Sequence, residues 1–118
     1  MTPRRPVDPR ELRDRLAEVA PWLAGAEQPD RPTLAAAVRL SLRALADLAP
    51  GNSVEVRVPP FAAVQCVEGP RHTRGTPGNV VETDPRTWLE LALGLLQWTD
   101  AVADGRVQAS GKIGRAHV

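Results

Sequence analysis

The chain has one cysteine, one lysine, one phenylalanine and no tyrosine in 118 residues. A single thiol, Cys66, excludes an internal disulfide and any zinc site built from several cysteines. The only aromatics are Trp22, Phe61, Trp88 and Trp98, so there is little material for surfaces that stack on bases. Neither sign of charge is in excess: 15 basic and 14 acidic residues leave a net charge of +1. That balance argues against a nucleic-acid binder, which carries a marked basic surplus. Long hydrophobic runs are also missing. The longest purely apolar stretches, such as Leu34 to Val38, are about one helical turn, so no stable membrane insertion is expected. The first fifteen residues carry five Arg and three acids and no apolar segment, unlike a secretory signal, and the expected compartment is cytoplasmic.

What is present is aliphatic and periodic. Hydrophobic residues make up 42% of the chain, enough for one domain with a real core. Asp8, Pro9 and Glu11 form a helix start, with Asp8 as N-cap, Pro9 at N1 and Glu11 at N3. Leu12, Leu16, Val19 and Leu23 then share one helical face, and Pro21 is expected to end or bend this helix early. After a Gly- and Pro-rich linker over 25–32, Thr33 is expected to cap a second helix. Its inner face is Leu34, Val38, Leu42, Leu45 and Ala49, opposite Arg39, Arg43 and Asp47.

Val54 to Val58 alternates valine with charge and reads as a half-buried strand. Pro59-Pro60 interrupts pairing, and Phe61 to Val67 resumes as a second strand. The segment from Glu68 to Gly78 is a polar loop with glycines and prolines. Asn79 to Thr83 follows as a third strand that could pair antiparallel with the second. Asp84-Pro85 opens a third helix, with Trp88, Leu91, Ala92 and Leu95 expected inward and Leu89 and Leu96 flanking. A short helix capped by Thr99 runs through Ala103, with Val102 inward and Gly105 as its stop. Arg106 to Ser110 reads as a fourth strand. The order α, α, β, β, β, α, α, β, with strands adjacent and helices gathered around them, predicts an α+β single domain rather than a repeating βαβ fold. Residues 1–7 are expected to be a flexible N-terminus and 8–111 the domain. Residues 112–118, Lys-Ile-Gly-Arg-Ala-His-Val, resemble what a common sequencing adapter encodes in frame, and are expected to be a non-native tail.

Two groups of side chains are candidates for function. The first is apolar: Val38, Leu42, Leu45, Phe61, Trp88, Leu91, Leu95, Trp98 and Val102. Most periodic apolar residues simply pack, but the same residues can line a pocket, because ligand pockets are mostly apolar. The second is the loop Arg71-His72-Thr73-Arg74-Gly75-Thr76. Its two guanidiniums, imidazole and hydroxyls lie beside permissive glycines, an arrangement able to hold an anionic head group. The plainer reading is a solvated loop whose arginines pair with Glu68, Glu82 or Asp84. Cys66 and His72 make a poor nucleophile and base, since Cys66 falls on a strand where a thiol serves as a small hydrophobe. Cys66, His72 and His117 have no recognised metal spacing. Gln65, placed among apolar neighbours, needs partners if buried.

One segment carries a family resemblance. Asp84-Pro85-Arg86-Thr87-Trp88-Leu89 leads to Leu93-Gly94, then Trp98-Thr99-Asp100-Ala101-Val102, then Asp104-Gly105-Arg106-Val107 and Ser110-Gly111. This resembles the sterol carrier protein 2 family, in which an acidic residue opens a short helix. A second short helix then steps through small-Gly-basic-aliphatic residues into a strand that closes at Gly. Val54 to Val81, with Pro59-Pro60 and the loop Glu68 to Gly75, resembles the short bacterial sterol carrier orthologue branch. The likeness covers roughly Thr33 to Gly111. It implies a mostly antiparallel or mixed sheet of about five strands with helices packed on one side. It also implies a hydrophobic tunnel between sheet and helices, holding a lipid or other hydrophobic small molecule, with no cofactor and no catalytic residue. The expectation is therefore a non-enzymatic binder. The alternative is a protein–protein or regulatory module whose groove is filled by a partner helix or by a second copy in a homodimer.

Overall fold

The computed structural model describes residues 5–51, 53–66 and 79–110. Its elements run α1 (Pro9–Leu23), α2 (Arg31–Leu48), β1 (Val54–Val58), β2 (Ala62–Cys66), β3 (Asn79–Thr83), α3 (Pro85–Ala92), α4 (Trp98–Ala103) and β4 (Val107–Ser110). The α+β class and the element order are those the sequence predicts.

Helix starts follow from short polar caps. Asp8, Asp30 and Asp84 each stand as N-cap with proline in the first turn, and their carboxylates accept the N–H of Arg10, Thr33 and Thr87 respectively. The cap of α2 is therefore Asp30, not Thr33: Thr33 sits at N3, and its N–H donates to Asp30 Oδ1 at 2.9 Å. Helix α4 begins one residue before Thr99, at Trp98, and its N-cap Gln97 makes no side-chain cap bond.

Three helices end the same way. In α3 the N–H of Gly94 donates to Leu91 O and that of Leu95 to Glu90 O. In α4, Gly105 and Arg106 repeat the pattern onto Val102 and Ala101, and in α1, Gly25 and Ala26 repeat it onto Trp22 and Pro21. These are Schellman motifs, and Gly94 and Gly105, both at φ 75°, supply the left-handed residue that the motif requires.

Pro21 does not end α1, which continues through Leu23. An internal proline costs about 3 kcal/mol in an isolated helix, but here it lies in the last turn, where one amide is lost and packing offsets the rest. Trp22 and Leu23 pack on the core, the Arg86 guanidinium lies 5.1 Å above the Trp22 ring, and Arg86 Nη2 donates to Leu23 O at 3.4 Å.

Among the described residues the sheet has four strands, not five, in the order β2-β1-β3-β4. β1 and β2 form an antiparallel hairpin in which Val56 faces Val64, and β3 and β4 are antiparallel with Val81 facing Ala109. β3 does not pair with β2. It lies parallel to β1, with Val56 opposite Val81, which makes the sheet mixed. Pairing with β1 places Val81 and Thr83 beside the buried valines of β1.

The strict alternation of β1 sets the two faces. Val54, Val56 and Val58 are buried, and Arg57 is exposed. The inward row continues through Ala62, Val64 and Cys66 on β2. Gln65 points away and is exposed, so it is not the buried polar group that its neighbours suggested. Phe61 lies in the turn before β2, half-buried, with Arg31 5.3 Å above its ring.

The helices cover the inner face. α2 lies over β2, and α1 and α3 both pack against α2. The core is Val19, Leu34, Ala37, Val38, Leu42 and Leu89 from the helices against the sheet valines, Cys66 and Val107. The N–H of Val7, just before α1, donates to Asp47 near the end of α2, while Arg86 at the start of α3 reaches Leu23 at the end of α1. α1 and α2 therefore run antiparallel, and α2 and α3 begin at the same end of the helical layer. No helix among the described residues is long and apolar enough to cross a membrane.

Candidate functional site

The helical layer does not fill the space above the sheet completely. A cavity of about 470 Å³ lies between them. Its floor is Val54 and Val56 of β1, Cys66 of β2, and Val81 and Thr83 of β3. Its walls are Leu45 of α2, Trp88 and Leu91 of α3, and the segment after α3 with Gly94, Leu96, Gln97 and Trp98. The Schellman turn at Gly94 builds that last wall. The turn ends α3, and Leu96 and Trp98 after it line the space.

Among the described residues, no Asp, Glu, Lys, Arg or His is part of this lining. Thr83 Oγ1 donates to Arg106 O at 2.8 Å, and Trp88 Nε1 donates to Ser41 Oγ at 2.8 Å, so both polar groups are already engaged. The Cys66 thiol is free and buried, and burial pushes its pKa up, so it stays protonated at neutral pH. Gln97 is exposed at the rim. Such a lining suits an apolar body and penalises a buried charge. Among the described residues no cluster of His, Cys, Asp or Glu could hold a metal ion.

A polar brace fixes α3 in place. The Thr87 hydroxyl, 1% exposed, donates to Asp84 Oδ1 at 2.6 Å and accepts from Arg106 Nε at 3.1 Å. Glu90 takes Arg86 at 3.1 Å on one oxygen and Arg106 on the other. Burial pushes the Asp84 carboxyl up, but the bonds it accepts from Thr87 and the charge of Arg106 outweigh that and hold it below the usual carboxylate range.

The predicted apolar residues divide. Leu45, Trp88, Leu91 and Trp98 line the cavity. Val38 and Leu42 do not: both are wholly buried in the packed core. Phe61 and Val102 pack against that core away from the lining. Leu95 is 62% exposed, because the turn at Gly94 takes it off the inner face of α3. The position expected to flank, Leu89, is the fully buried one, and Ala92 is exposed. Arg71, His72 and Arg74 lie outside the described residues. Sequence reasoning missed Val54, Val56, Val81 and Thr83 as lining. Their alternation marks the inner face but does not show where the helices leave it uncovered.

A mixed sheet covered on one face by helices, with a cavity between the layers, defines a small α+β domain. Residues 30–118, well over half of the chain, match the family described as bacterial SCP ortholog, and the chain belongs to that family. The match starts at Asp30, the N-cap of α2, so α1 lies outside it. No curated protein matches the chain.

Proposed function

We propose that this protein binds a lipid or other hydrophobic or amphipathic small molecule, without catalysis, in the cavity between α2, α3 and the sheet. The observation that carries this reading is the lining: about 470 Å³ bounded mainly by aliphatic and indole side chains, with no charged group among the described residues. Removing an apolar body from water into such a space is favourable at roughly 25 cal/mol per Å² buried. Family membership supports the carrier reading. The non-catalytic reading is supported by the protonated, buried state of the Cys66 thiol and by the lack of any carboxylate, imidazole or amine among the described residues of the lining.

The test is native mass spectrometry of freshly purified protein, followed by denaturing extraction. A small molecule that travels with the native chain and leaves on denaturation is expected. A bare protein that also takes up no added fatty acid would overturn the reading. A second reading, self-association, is favoured by Leu48 and Leu95, which stand 85% and 62% exposed. A dimer mass in the same spectrum, lost on Leu48→Glu or Leu95→Glu, would support it. Head-group recognition by Arg71, His72 and Arg74 is tested by Arg71→Ala with Arg74→Ala, which should weaken anionic ligands more than neutral ones.

A further inference from the structure

One side chain of the cavity wall, held on a braced helix, makes its own polar contact across to α2. Trp88 is a bulky wall residue, and its indole N–H donates to Ser41 Oγ at 2.8 Å. Ser41 lies in the middle of α2, is 5% exposed, and is not part of the lining. Its hydroxyl proton is committed to its own helix, toward Ala37 O at 2.7 Å and Val38 O at 3.0 Å. The oxygen is thereby left as an acceptor aimed across at α3. A serine that bonds back to the preceding turn is neutral to unfavourable for a helix interior, so its use here lies in the contact it makes outward.

That contact joins the two helices that flank the cavity. α2 and α3 start from the same end of the layer, and Ser41 and Trp88 meet one turn before Leu45 and Leu91, which line the space beyond. The bond does two things. It fixes the indole in one orientation, and it ties α2 to α3 beside the cavity. A buried N–H without an acceptor is costly, so an indole deprived of Ser41 must turn toward another partner or toward solvent.

We infer that Ser41 is a specificity-determining residue of the cavity: by holding the Trp88 indole it sets the cavity's width, and so selects slim aliphatic ligands over broad ring systems. This rests on the ligand-binding reading above and adds to it a residue that touches no ligand.

The experiment measures two probes against the full chain: a fluorescent polyene fatty acid, which is slim, and an anilinonaphthalene dye, which is broad. Ser41→Ala should shift the affinity ratio toward the broad probe by about fivefold, the effect of one buried hydrogen bond. Ser41→Thr, which keeps the acceptor, should restore the wild-type ratio. Trp88→Phe removes the donor, so adding Ser41→Ala to it should change the ratio no further. Exchange of the Trp88 indole N–H, followed by NMR in the ligand-free protein, should be slow in wild type and fast in Ser41→Ala. A ratio that stays at the wild-type value in Ser41→Ala while the indole exchange rises overturns the inference and leaves the binding reading intact. An equal shift in the Trp88→Phe background also overturns it, because it would show that Ser41 acts through packing alone. A wild-type protein that binds neither probe overturns the binding reading, and the selectivity claim with it.

Discussion

The inner face of the sheet has a packed part and a hollow part. Val58 at one end of β1 meets a core in which Val19, Val38, Leu42 and Leu89 are all 0% exposed. Val54 and Val56, on the same strand and with the same side chain, keep 5% and 7% exposure because they floor the cavity. The same alternation of valines therefore serves two ends, and what separates them is the cover above. α2 lies directly on the sheet at Leu42, whereas one turn further on Leu45 forms a wall instead of a plug. The Gly94 turn sets the opposite wall. A close-packed core is built for stability, and the hollow part leaves contact unmade that a ligand can supply.

This contrast can be broken by mutation, and the largest effects are expected on the packed side. Leu89→Ala and Leu42→Ala should each cost about 2–5 kcal/mol in urea melts, since both leave a new void in a filled region. Leu91→Ala is the matched change on the hollow side. It enlarges an existing space and should cost about 1 kcal/mol, close to the transfer contribution alone, while weakening probe binding. Equal costs at Leu89 and Leu91 would mean that the two regions are packed alike.

The caps sharpen the comparison by pH. Asp30 starts α2 and Asp84 starts α3, and each accepts bonds that hold its carboxyl below the usual value, for Asp30 from the Thr33 side chain and backbone. A depressed folded pKa contributes stability that is present above the unfolded value of about 3.9 and is lost as pH falls through the folded one. Asp84→Ala should cost about 1 kcal/mol at pH 7, and Asp30→Ala should also destabilise the fold. The gap to wild type should narrow as the pH is lowered below about 4. A gap independent of pH would show that the carboxylate charge plays no part. Asp84→Ala alone should also lower ligand affinity, because the α3 brace orients Trp88 and Leu91.

The smallest effect is kinetic. Cys66 floors the cavity and its thiol is held protonated, so alkylation at neutral pH should be slow and should rise only above the ordinary thiol pKa of about 8.5. A cavity ligand should slow it further. A rate indifferent to ligand would place Cys66 on the packed side.

Much of this architecture was legible in the sequence, for identifiable reasons. Asp-Pro pairs at 8–9 and 84–85, glycines at 94 and 105, and the 2- and 3.6-residue periods are local signals, and they located the elements and the α+β class. Pairing was not local. Nothing in Asn79 to Thr83 says that it joins β1 in parallel instead of β2, because that choice depends on which strand offers buried neighbours. Pro21 misled because its cost is offset by Trp22 and Leu23 packing, a tertiary effect. The site was half legible for the same reason. Leu45, Trp88, Leu91 and Trp98 stood on inward faces and line the cavity, but Val38 and Leu42 share the α2 face with Leu45 and are core. Helical period alone does not distinguish a covered position from one beside empty space.

The most direct test of the central claim fills the hollow part. Val81 is 6% exposed, central in the sheet opposite Val56 and Ala109, and part of the cavity floor. Thermal melting and fatty-acid titration of Val81→Phe would be read together. The expected result is a melting temperature at or above that of the wild type with fatty-acid binding abolished, because the ring occupies the space that the ligand needs. A drop in stability of about 1–3 kcal/mol, the cost of overpacking a filled core, together with binding retained, would contradict the account.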